Sequence, residues 1–233
     1  GETKAQSDPR LALVLRPLLP ASVVVEETRD LPNPDLLHPD EAQCVESAVE
    51  KRRREFAGGR LCARRALARL GIEDFPLLPD TDRVPLWPQG VVGCIAHTTG
   101  YVAAAAARSE ATAGIGIDVE RGDPLSPRVV PRICAAAEIL RLSRLPPRSG
   151  VDWYKLIFSA KESLYKAYYP LTRTFLGFHD VDIVVEPDHG SFTATLLRQD
   201  APAISGARSF VGRYAFGTEH IFTAVALAAG NPK

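Results

Sequence analysis

The sequence predicts an α+β fold made of two similar lobes, residues 1–113 and 114–233. Each half contains a long helical stretch and about three β-prone runs, separated by loops rich in Pro and Gly. Of the 233 residues, 45% are hydrophobic and 24% charged, as in ordinary globular proteins that need no disulfide or structural metal to fold. Sequence identity between the halves is too weak to prove a duplication.

The first half begins with two apolar runs, 11–15 and 22–27, which predict short strands. Apolar residues at helical spacing then predict a helical stretch from Asp40, a candidate cap, to about Leu70. Two consecutive glycines, 58–59, interrupt that stretch, and each costs ~1 kcal/mol relative to Ala in a helix. We therefore expect either a break in the helix or a close backbone approach there.

The uncharged run at 90–107 is long, but its Gly, His and Thr residues argue against a membrane span. It predicts two strands joined by a tight turn, at 91–96 and 101–107. Further along the chain we expect a third strand at 113–119, a short helix at 132–142, and a strong helix at 152–169 that Pro170 ends. Four strands are predicted in the tail, at 181–186, 191–197, 208–216 and 221–228.

The charge balance excludes a general attraction to polyanions. There are 28 basic and 28 acidic residues, so an anion site must be a local cluster, and neither nucleic acid nor an anionic membrane is expected as a partner. The four cysteines form neither a CxxC pair nor a dense framework, which predicts reduced thiols. No basic-then-apolar signal opens the chain, so we expect a cytoplasmic protein.

The motif GIDVE, at the end of the predicted strand 113–119, contains two acids. Because alternate strand residues share a face, Asp118 and Glu120 project together from Cα atoms roughly 6.7 Å apart. Two such acids repel unless a cation lies between them, and hard oxygen ligands select Mg²⁺ or Ca²⁺. The alternative is a strand end whose acids are solvated or paired with Arg121 and Arg128.

The helix at 152–169 carries a third acid. Phe158, Glu162 and Tyr165 share one helix face, so the carboxylate would be partly desolvated unless a metal or cation meets it. Glu162 and Lys166 also form an i, i+4 pair, a plainer explanation worth ~0.2–0.5 kcal/mol. Lys161 and Lys166 would flank the acid with positive charge, as a phosphate-handling site requires.

Two basic features could bind an anion. The basic run 51–54 is typical of a solvated helix face, yet the nearby glycines allow a ligand to approach, and Arg suits phosphate. Helical geometry does not choose the partner of Arg60, since Arg53 at i−7 aligns better than Arg52 at i−8. His97, at the predicted turn before Thr98, is either a satisfied core residue or an anion contact.

Taken together, R-x7-R, the PLWP–G–H segment, GIDVE and FSAKESLYK resemble, in order and spacing, the larger two-lobed 4'-phosphopantetheinyl transferases of the Sfp/EntD type. The resemblance covers about residues 50–176; each motif is weak alone, but the ordered set is highly specific. It implies a pseudo-twofold α+β fold that binds coenzyme A in the cleft between the lobes. The phosphopantetheine arm would be transferred to a serine of an apo carrier protein, releasing adenosine 3',5'-bisphosphate.

The resemblance also implies the metal and the roles of the acids. Asp118, Glu120 and Glu162 would be Mg²⁺ ligands, with Mn²⁺ as an alternative ion, and the coenzyme A pyrophosphate would complete the shell. Either Glu162 or Glu120, directly or through a metal-bound water, would take the serine proton. Lys161 and Lys166 would contact the pyrophosphate.

The remaining contacts follow from the same resemblance. Phosphates of the nucleotide end, especially the 3'-phosphate, would be bound by Arg52, Arg60 and His97. Some relatives place a Lys where this chain has Pro79, and Arg83 is the candidate to replace it. The wall along the pantetheine arm would be formed by Phe158, Tyr165 and Phe175, although aromatics at helical spacing are commonly core residues.

The implied partners are carrier proteins of fatty acid, polyketide or nonribosomal peptide synthases, including those that make siderophores. We expect docking near 122–150 and 170–178, and a monomer, because two lobes in one chain already form the cleft. A Mg²⁺-dependent nuclease would need clustered acids too, but its usual E-x-K pattern is absent around Glu162. A non-catalytic nucleotide-binding module would leave the three acids without a purpose.

Overall fold

The computed structural model describes residues 14–147 and 150–230. The helices there are α1 Pro39–Gln43, α2 Glu50–Arg69, α3 Val130–Ile133, α4 Ala136–Leu142 and α5 Trp153–Thr172. The strands are β1 Val24–Thr28, β2 Val91–Thr98, β3 Tyr101–Arg108, β4 Thr112–Arg121, β5 Val181–Glu186, β6 Ser191–Leu196, β7 Ser209–Phe216 and β8 His220–Ala228. Short 3-10 turns lie at Arg16–Leu18, Pro34–Leu36 and Phe178–Asp180.

The strands form two antiparallel sheets, which confirms the predicted α+β class. The first has the order β1-β3-β2 and the second the order β4-β8-β7-β6-β5. The second half thus has the five strands predicted individually, rather than the three or so expected of each half. The sheets meet where β2 lies beside β4, and there the amide of Ile117 donates to Cys94 Sγ at 3.4 Å. The predicted lobe boundary at 113–114 falls inside β4 and stays a prediction.

The packing of the two sheets against each other and against the helices explains which strand residues are hydrophobic. The inner faces of the two sheets share one core, in which Ala103 and Ala105 of β3 contact the cluster that holds Ile115 and Ile117 of β4. The outer face of the first sheet packs against α2, and α5 covers the other face of β4 and β8. Because both faces of β3 are covered, residues 101–107 are all buried and the run contains no alternating polar residue.

The predicted helix beginning at Asp40 is wrong, because two helices, α1 and α2, are separated by a turn. The glycines at 58–59 do not break α2, and the alternative, a close approach, is confirmed. A Cβ on Gly59 would lie 2.9 Å from Ile95 Cγ2, so a larger residue would require the Ile95 side chain or α2 to shift. Two helices, α3 and α4, likewise replace the single predicted helix at 132–142.

Pro170 was also expected to end the long helix, but α5 continues to Thr172. Near the end of a helix Pro removes only one hydrogen bond. The turn is then closed by Arg173, whose left-handed conformation (φ 52°) lets its amide donate to the Tyr169 carbonyl at 2.8 Å.

The strand predictions at 22–27, 91–96, 101–107 and 113–119 and the four in the tail are confirmed with small shifts in their ends. The run at 11–15 lies mostly outside the described residues, and its last two residues, 14 and 15, form a bend. All four cysteines are free, as expected. Over 14–147 and 150–230, no helix is long and apolar enough to cross a membrane.

Candidate active site

A cavity of about 480 Å³ lies between the two lobes. The first lobe contributes Arg52, Arg60 and His97 to its lining, and α5 of the second contributes Tyr165 and Lys166. This volume is typical of small-molecule sites. Residues of the basic motif, the PLWP segment, His97 and the end of FSAKESLYK therefore line one cavity, whereas Asp118, Glu120 and Glu162 are not part of its lining.

The contact between β4 and α5 determines where the acids lie. A Cβ on Gly116 would lie 1.7 Å from the Ser163 carbonyl oxygen, so only glycine allows this approach. Alternation along β4 then turns Ile115 and Ile117 into the core between the sheets and Asp118 towards α5. As a result, the GIDVE and FSAKESLYK motifs face each other.

Asp118 is buried, with 5% of its surface exposed, and both of its oxygens have partners. Lys166 Nζ donates to Oδ1 at 2.7 Å, and Ser159 Oγ donates to Oδ2 at 2.7 Å. Thr223 of β8 donates in turn to the Ser159 carbonyl at 2.9 Å. Burial alone would lower the pKa of Lys166, but the charge of Asp118, its hydrogen bond and the other acidic groups nearby together outweigh burial and raise that pKa, so the lysine is charged.

Glu120 lies two residues further along β4, with 27% of its side chain exposed. Burial, followed by the charge of Asp118, raises the pKa of Glu120 to about 7. Lys155 Nζ, 3.9 Å from Glu120 Oε2, opposes this shift only in part. Much of the Glu120 population is therefore protonated near neutral pH in the absence of a stronger cation.

Glu162, from α5, is the third acid. Burial and then the charge of Asp118 raise its pKa, while Lys166 lowers it. The charge of Asp118 thus contributes to the raised pKa of both Glu120 and Glu162. Within the described ranges, however, no group of three His, Cys, Asp or Glu side chains is arranged to hold a metal ion. Asp118 is engaged instead by Lys166 and Ser159.

The basic side of the cavity pairs Arg52 with His97. Arg52 Nη1 donates to His97 Nε2 at 3.0 Å, so this ring nitrogen is unprotonated. Burial and then the charge of Arg52 lower the pKa of His97. Geometry left open whether Arg52 or Arg53 accompanies Arg60; in the structure Arg52 lines the cavity with it, and Arg53 is not part of the lining.

Arg60 is only 5% exposed. Its Nε donates to the Leu77 carbonyl at 2.8 Å, and its guanidinium carbon lies 3.9 Å from the centre of the Phe56 ring. Burial lowers the pKa of Arg60 to about 10, against the opposing charge of Glu41, so the group stays cationic at neutral pH. Its terminal nitrogens make no hydrogen bond to residues in the described ranges and are available to an anion.

The structure places the ammonium group of Lys161 among groups of the second lobe. This ammonium group is buried and donates to the Ile133 carbonyl at 2.9 Å, to Glu138 Oε2 at 2.8 Å and to the Phe178 carbonyl at 2.7 Å. A lysine has three donors, so none is left here for a phosphate oxygen. The expected contact with pyrophosphate therefore stays a prediction, and in this structure Lys161 joins α3, α4 and the turn at 178–180 to α5.

The aromatic candidates separate into two groups. Tyr165 lines the interlobe cavity and also a smaller one of about 180 Å³, together with Glu162 and Phe175. Phe175 is 67% exposed. Phe158 lines neither cavity; it packs against the core of the second lobe, with its ring centre 5.7 Å from that of Phe178.

Comparison with known proteins decides the family. A family model described as the 4'-phosphopantetheinyl transferase N-terminal domain matches residues 40–107, and one described as the 4'-phosphopantetheinyl transferase superfamily matches residues 114–219. The chain belongs to the 4'-phosphopantetheinyl transferase superfamily. The resemblance to the Sfp/EntD type is thereby confirmed, and the protein is an enzyme of the class that transfers phosphopantetheine to carrier proteins.

Three relatives give the range of similarity. The chain is 44% identical to the 4'-phosphopantetheinyl transferase Svp of Streptomyces mobaraensis, over 91% of this chain and 88% of Svp. It is 36% identical to the 4'-phosphopantetheinyl transferase PptT of Mycobacterium tuberculosis, over 81% of this chain and 85% of PptT. It is also 36% identical to enterobactin synthase component D of Salmonella typhimurium, over 58% of this chain and 56% of that protein.

Three residues that lie beside the acids were not predicted from the sequence, two of them on α5 and one on β8. Ser159, which holds Asp118, and Lys155, which lies near Glu120, precede Glu162 by three and seven residues. Both spacings place them on the same face of α5 as Glu162, so helical periodicity could have identified them as neighbours of the acids. Thr223 gave no such signal, because only the pairing of β8 with β4 places it beside Asp118.

Proposed function

We propose that this enzyme transfers the 4'-phosphopantetheine group from coenzyme A to a serine hydroxyl of an apo carrier protein. The serine oxygen forms a bond to the phosphorus of the arm, and the bond from that phosphorus to the bridging oxygen breaks. Adenosine 3',5'-bisphosphate leaves with that oxygen, and the serine proton passes to a carboxylate. The observation that carries the proposal is one cavity lined by arginines on one side and by Lys166 on the other, with Lys166 hydrogen-bonded to Asp118 of the acid group.

The nucleotide end of coenzyme A is assigned to the basic side. Arg52, Arg60 and His97 converge there, and Arg83 lines the same cavity. Arginine suits phosphate because its planar donors form paired hydrogen bonds. The free terminal nitrogens of Arg60, held over Phe56, are already oriented, so little side-chain entropy is lost on binding.

The acid group fits a divalent ion by the chemistry of its donors. Carboxylate oxygens are the ligands that Mg²⁺ prefers, and Mn²⁺ accepts the same set. Asp118, Glu120 and Glu162 would hold the ion: Glu162 accepts no hydrogen bond from the described residues, and the nearest cation to Glu120 is 3.9 Å away. When bound, Mg²⁺ would offset the charge of the pyrophosphate and of the acids.

The protein's own residues then have distinct roles. Lys166, fixed by Asp118, stabilises negative charge as the pyrophosphate bond breaks. Glu162 or Glu120 accepts the serine proton, and a raised pKa brings both closer to the pH at which a base works efficiently. We assign Lys161, whose donors are all used, to fixing the wall beside Glu162.

The smaller cavity is assigned to the pantetheine arm. Tyr165 and Phe175 form its aromatic wall next to Glu162, and Phe158 packs behind Phe178, which also lines this cavity. The carrier would dock beside it, at 122–150 and at 170–178, where Val129, Leu140, Leu171 and Phe175 are exposed. Residues 148–149 of the predicted docking region lie outside the described residues.

Further proposals concern the carrier proteins, the cellular location and the oligomeric state. The carriers belong to fatty acid, polyketide or peptide synthases, and the similarity to enterobactin synthase component D supports siderophore synthesis among them. The four free thiols support a cytoplasmic location. We propose a monomer, because one chain already supplies both sides of the cavity.

Intact-mass measurement of an apo carrier protein tests this function. Incubation with the enzyme, coenzyme A and Mg²⁺ is expected to add about 340 Da, the mass of the covalently attached phosphopantetheine group. Reactions lacking coenzyme A, or containing a chelator, are the controls and are expected to leave the carrier unchanged. Retention of coenzyme A by the enzyme without any gain in carrier mass would contradict transfer.

A further inference from the structure

A loop at residues 79–85, here called the rim loop, lies at the edge of the interlobe cavity. Its ends are held together by an antiparallel bridge between Pro79 and Pro85. Inside it, one oxygen of Asp80 accepts hydrogen bonds from the amides of Asp82 and Val84, both at 2.9 Å. These bonds make the rim loop a defined turn that can carry a side chain to a fixed position.

The opposite lobe holds this turn from across the cavity. Arg173, just after α5, places Nη1 2.6 Å from Asp80 Oδ2 and 3.4 Å from Asp82 Oδ2. The Tyr169 hydroxyl donates to the same oxygen of Asp82 at 3.0 Å. Arg173 therefore bridges two carboxylates of the rim loop, and Tyr169 adds a third polar contact between the lobes.

The side chain presented by the rim loop is Arg83. It lines the cavity that also holds Arg52 and Arg60, and it makes no hydrogen bond or ion pair with residues in the described ranges. Its backbone is left-handed, with φ at 65°, and so is that of Arg173. Residues other than glycine keep this conformation only where their surroundings fix it. An unpaired cation is thus held at the cavity by a constrained loop.

We propose that Arg173 is a positioning residue for specificity: through Asp80 and Asp82 it keeps Arg83 in the cavity, where Arg83 contacts the 3'-phosphate of coenzyme A. The inference rests on the proposed function and extends it to a residue pair that bridges the lobes. The side chains of Arg173 and Asp82 are 47% and 49% exposed and that of Asp80 is 16% exposed, so the bridge is partly open to water, and ion pairs open to water contribute little to folding. Its loss should therefore change recognition of the phosphate more than stability.

The test compares coenzyme A with 3'-dephospho coenzyme A as substrates. Discrimination is the ratio of their kcat/KM values in the carrier mass assay. We expect R173Q to reduce this ratio about tenfold, the effect of losing one hydrogen bond to a charged group, chiefly through the KM for coenzyme A. R173K keeps the positive charge but lacks the paired guanidinium donors, so it should keep part of the discrimination between the two substrates. R69Q is the matched control, because it removes another exposed pair, at 2.9 Å, that lies outside the cavity.

A double variant establishes whether the effect passes through Arg83. R83Q should lower the ratio at least as much as R173Q, and R83Q/R173Q should be no worse than R83Q alone. An unchanged ratio in R173Q, equal losses with both substrates, or losses that multiply in the double variant would overturn the inference. Absence of transfer by the wild-type enzyme with either substrate would instead contradict the proposed function.

Discussion

Gly116 of β4 lies directly under Ser163 of α5, so close that a Cβ there would be 1.7 Å from the Ser163 carbonyl oxygen. Helix and strand therefore touch backbone to backbone. Asp118, two residues along β4, meets Ser159 and Lys166 of the helix at 2.7 Å each because of this approach. Asp118 of β4 and Glu162 of α5 are therefore brought near each other because residue 116 has no side chain.

Replacing Gly116 by Ala should therefore separate strand from helix. The clash is with backbone atoms, which cannot rotate away, so we expect a loss of about 3 kcal/mol or more in the free energy of unfolding. Gly122→Ala is the control, since its nearest neighbour would be 3.6 Å away, and its loss should stay within about 0.5 kcal/mol. Urea denaturation measures both, and equal stability of the two variants would contradict the packing described.

The pH dependence of stability should report on Glu120. Its pKa in the folded protein is raised from a usual 4.5 to about 7, so between these values the folded state keeps a proton that the unfolded chain releases. Its contribution to the free energy of unfolding therefore falls as pH rises from 4.5 to about 7 and is constant above.

Glu120→Gln removes that contribution. In metal-free buffer, wild-type stability minus variant stability should fall across this pH range. Urea denaturation at several pH values, with a chelator present, measures the difference. A difference that is flat, or that rises with pH, would show that the pKa of Glu120 is not raised by its surroundings.

Lys161→Met should destabilise the second lobe. The variant leaves the buried Glu138 carboxyl without its lysine partner and leaves two carbonyl oxygens without a donor. Loss of one partner of a buried ion pair costs about 3–5 kcal/mol. Thermal and urea denaturation measure the loss.

Kinetics of Lys161→Met, below its unfolding temperature, separate its two candidate roles. If Lys161 acts only by holding the fold, the KM for coenzyme A should stay near the wild-type value, whereas Lys166→Met should raise it. A stable Lys161→Met enzyme with a greatly raised KM would show instead that Lys161 leaves Glu138 and contacts the substrate.

Local patterns in the sequence were sufficient for most of the fold and for the acids. Alternation predicted that Asp118 and Glu120 share a face, and helical spacing placed Glu162 and Lys166 on α5. Pro170 led to a helix end predicted too early. The backbone N–H that Pro lacks matters little in the last turn of α5, where the amide of Arg173 completes the cap.

Tertiary contacts account for what the sequence could not show. Lys161 and Lys166 are both lysines of α5, yet Lys161 donates a hydrogen bond to Glu138, whose position depends on how α4 packs. The bridge from Arg173 to Asp80 joins residues 93 positions apart in the chain, with no periodicity to connect them. Such pairings become visible only when the lobes are placed together.

The most direct test of the central claim, that the acids facing Lys166 drive transfer, compares Glu162→Gln with the wild type. Glu186→Gln, at an exposed glutamate on β5, is the control. With coenzyme A, Mg²⁺ and an apo carrier, the initial rate of the mass gain should fall at least about a hundredfold in Glu162→Gln alone, with unfolding temperature little changed. A folded Glu162→Gln enzyme that modifies the carrier at the wild-type rate would contradict the account.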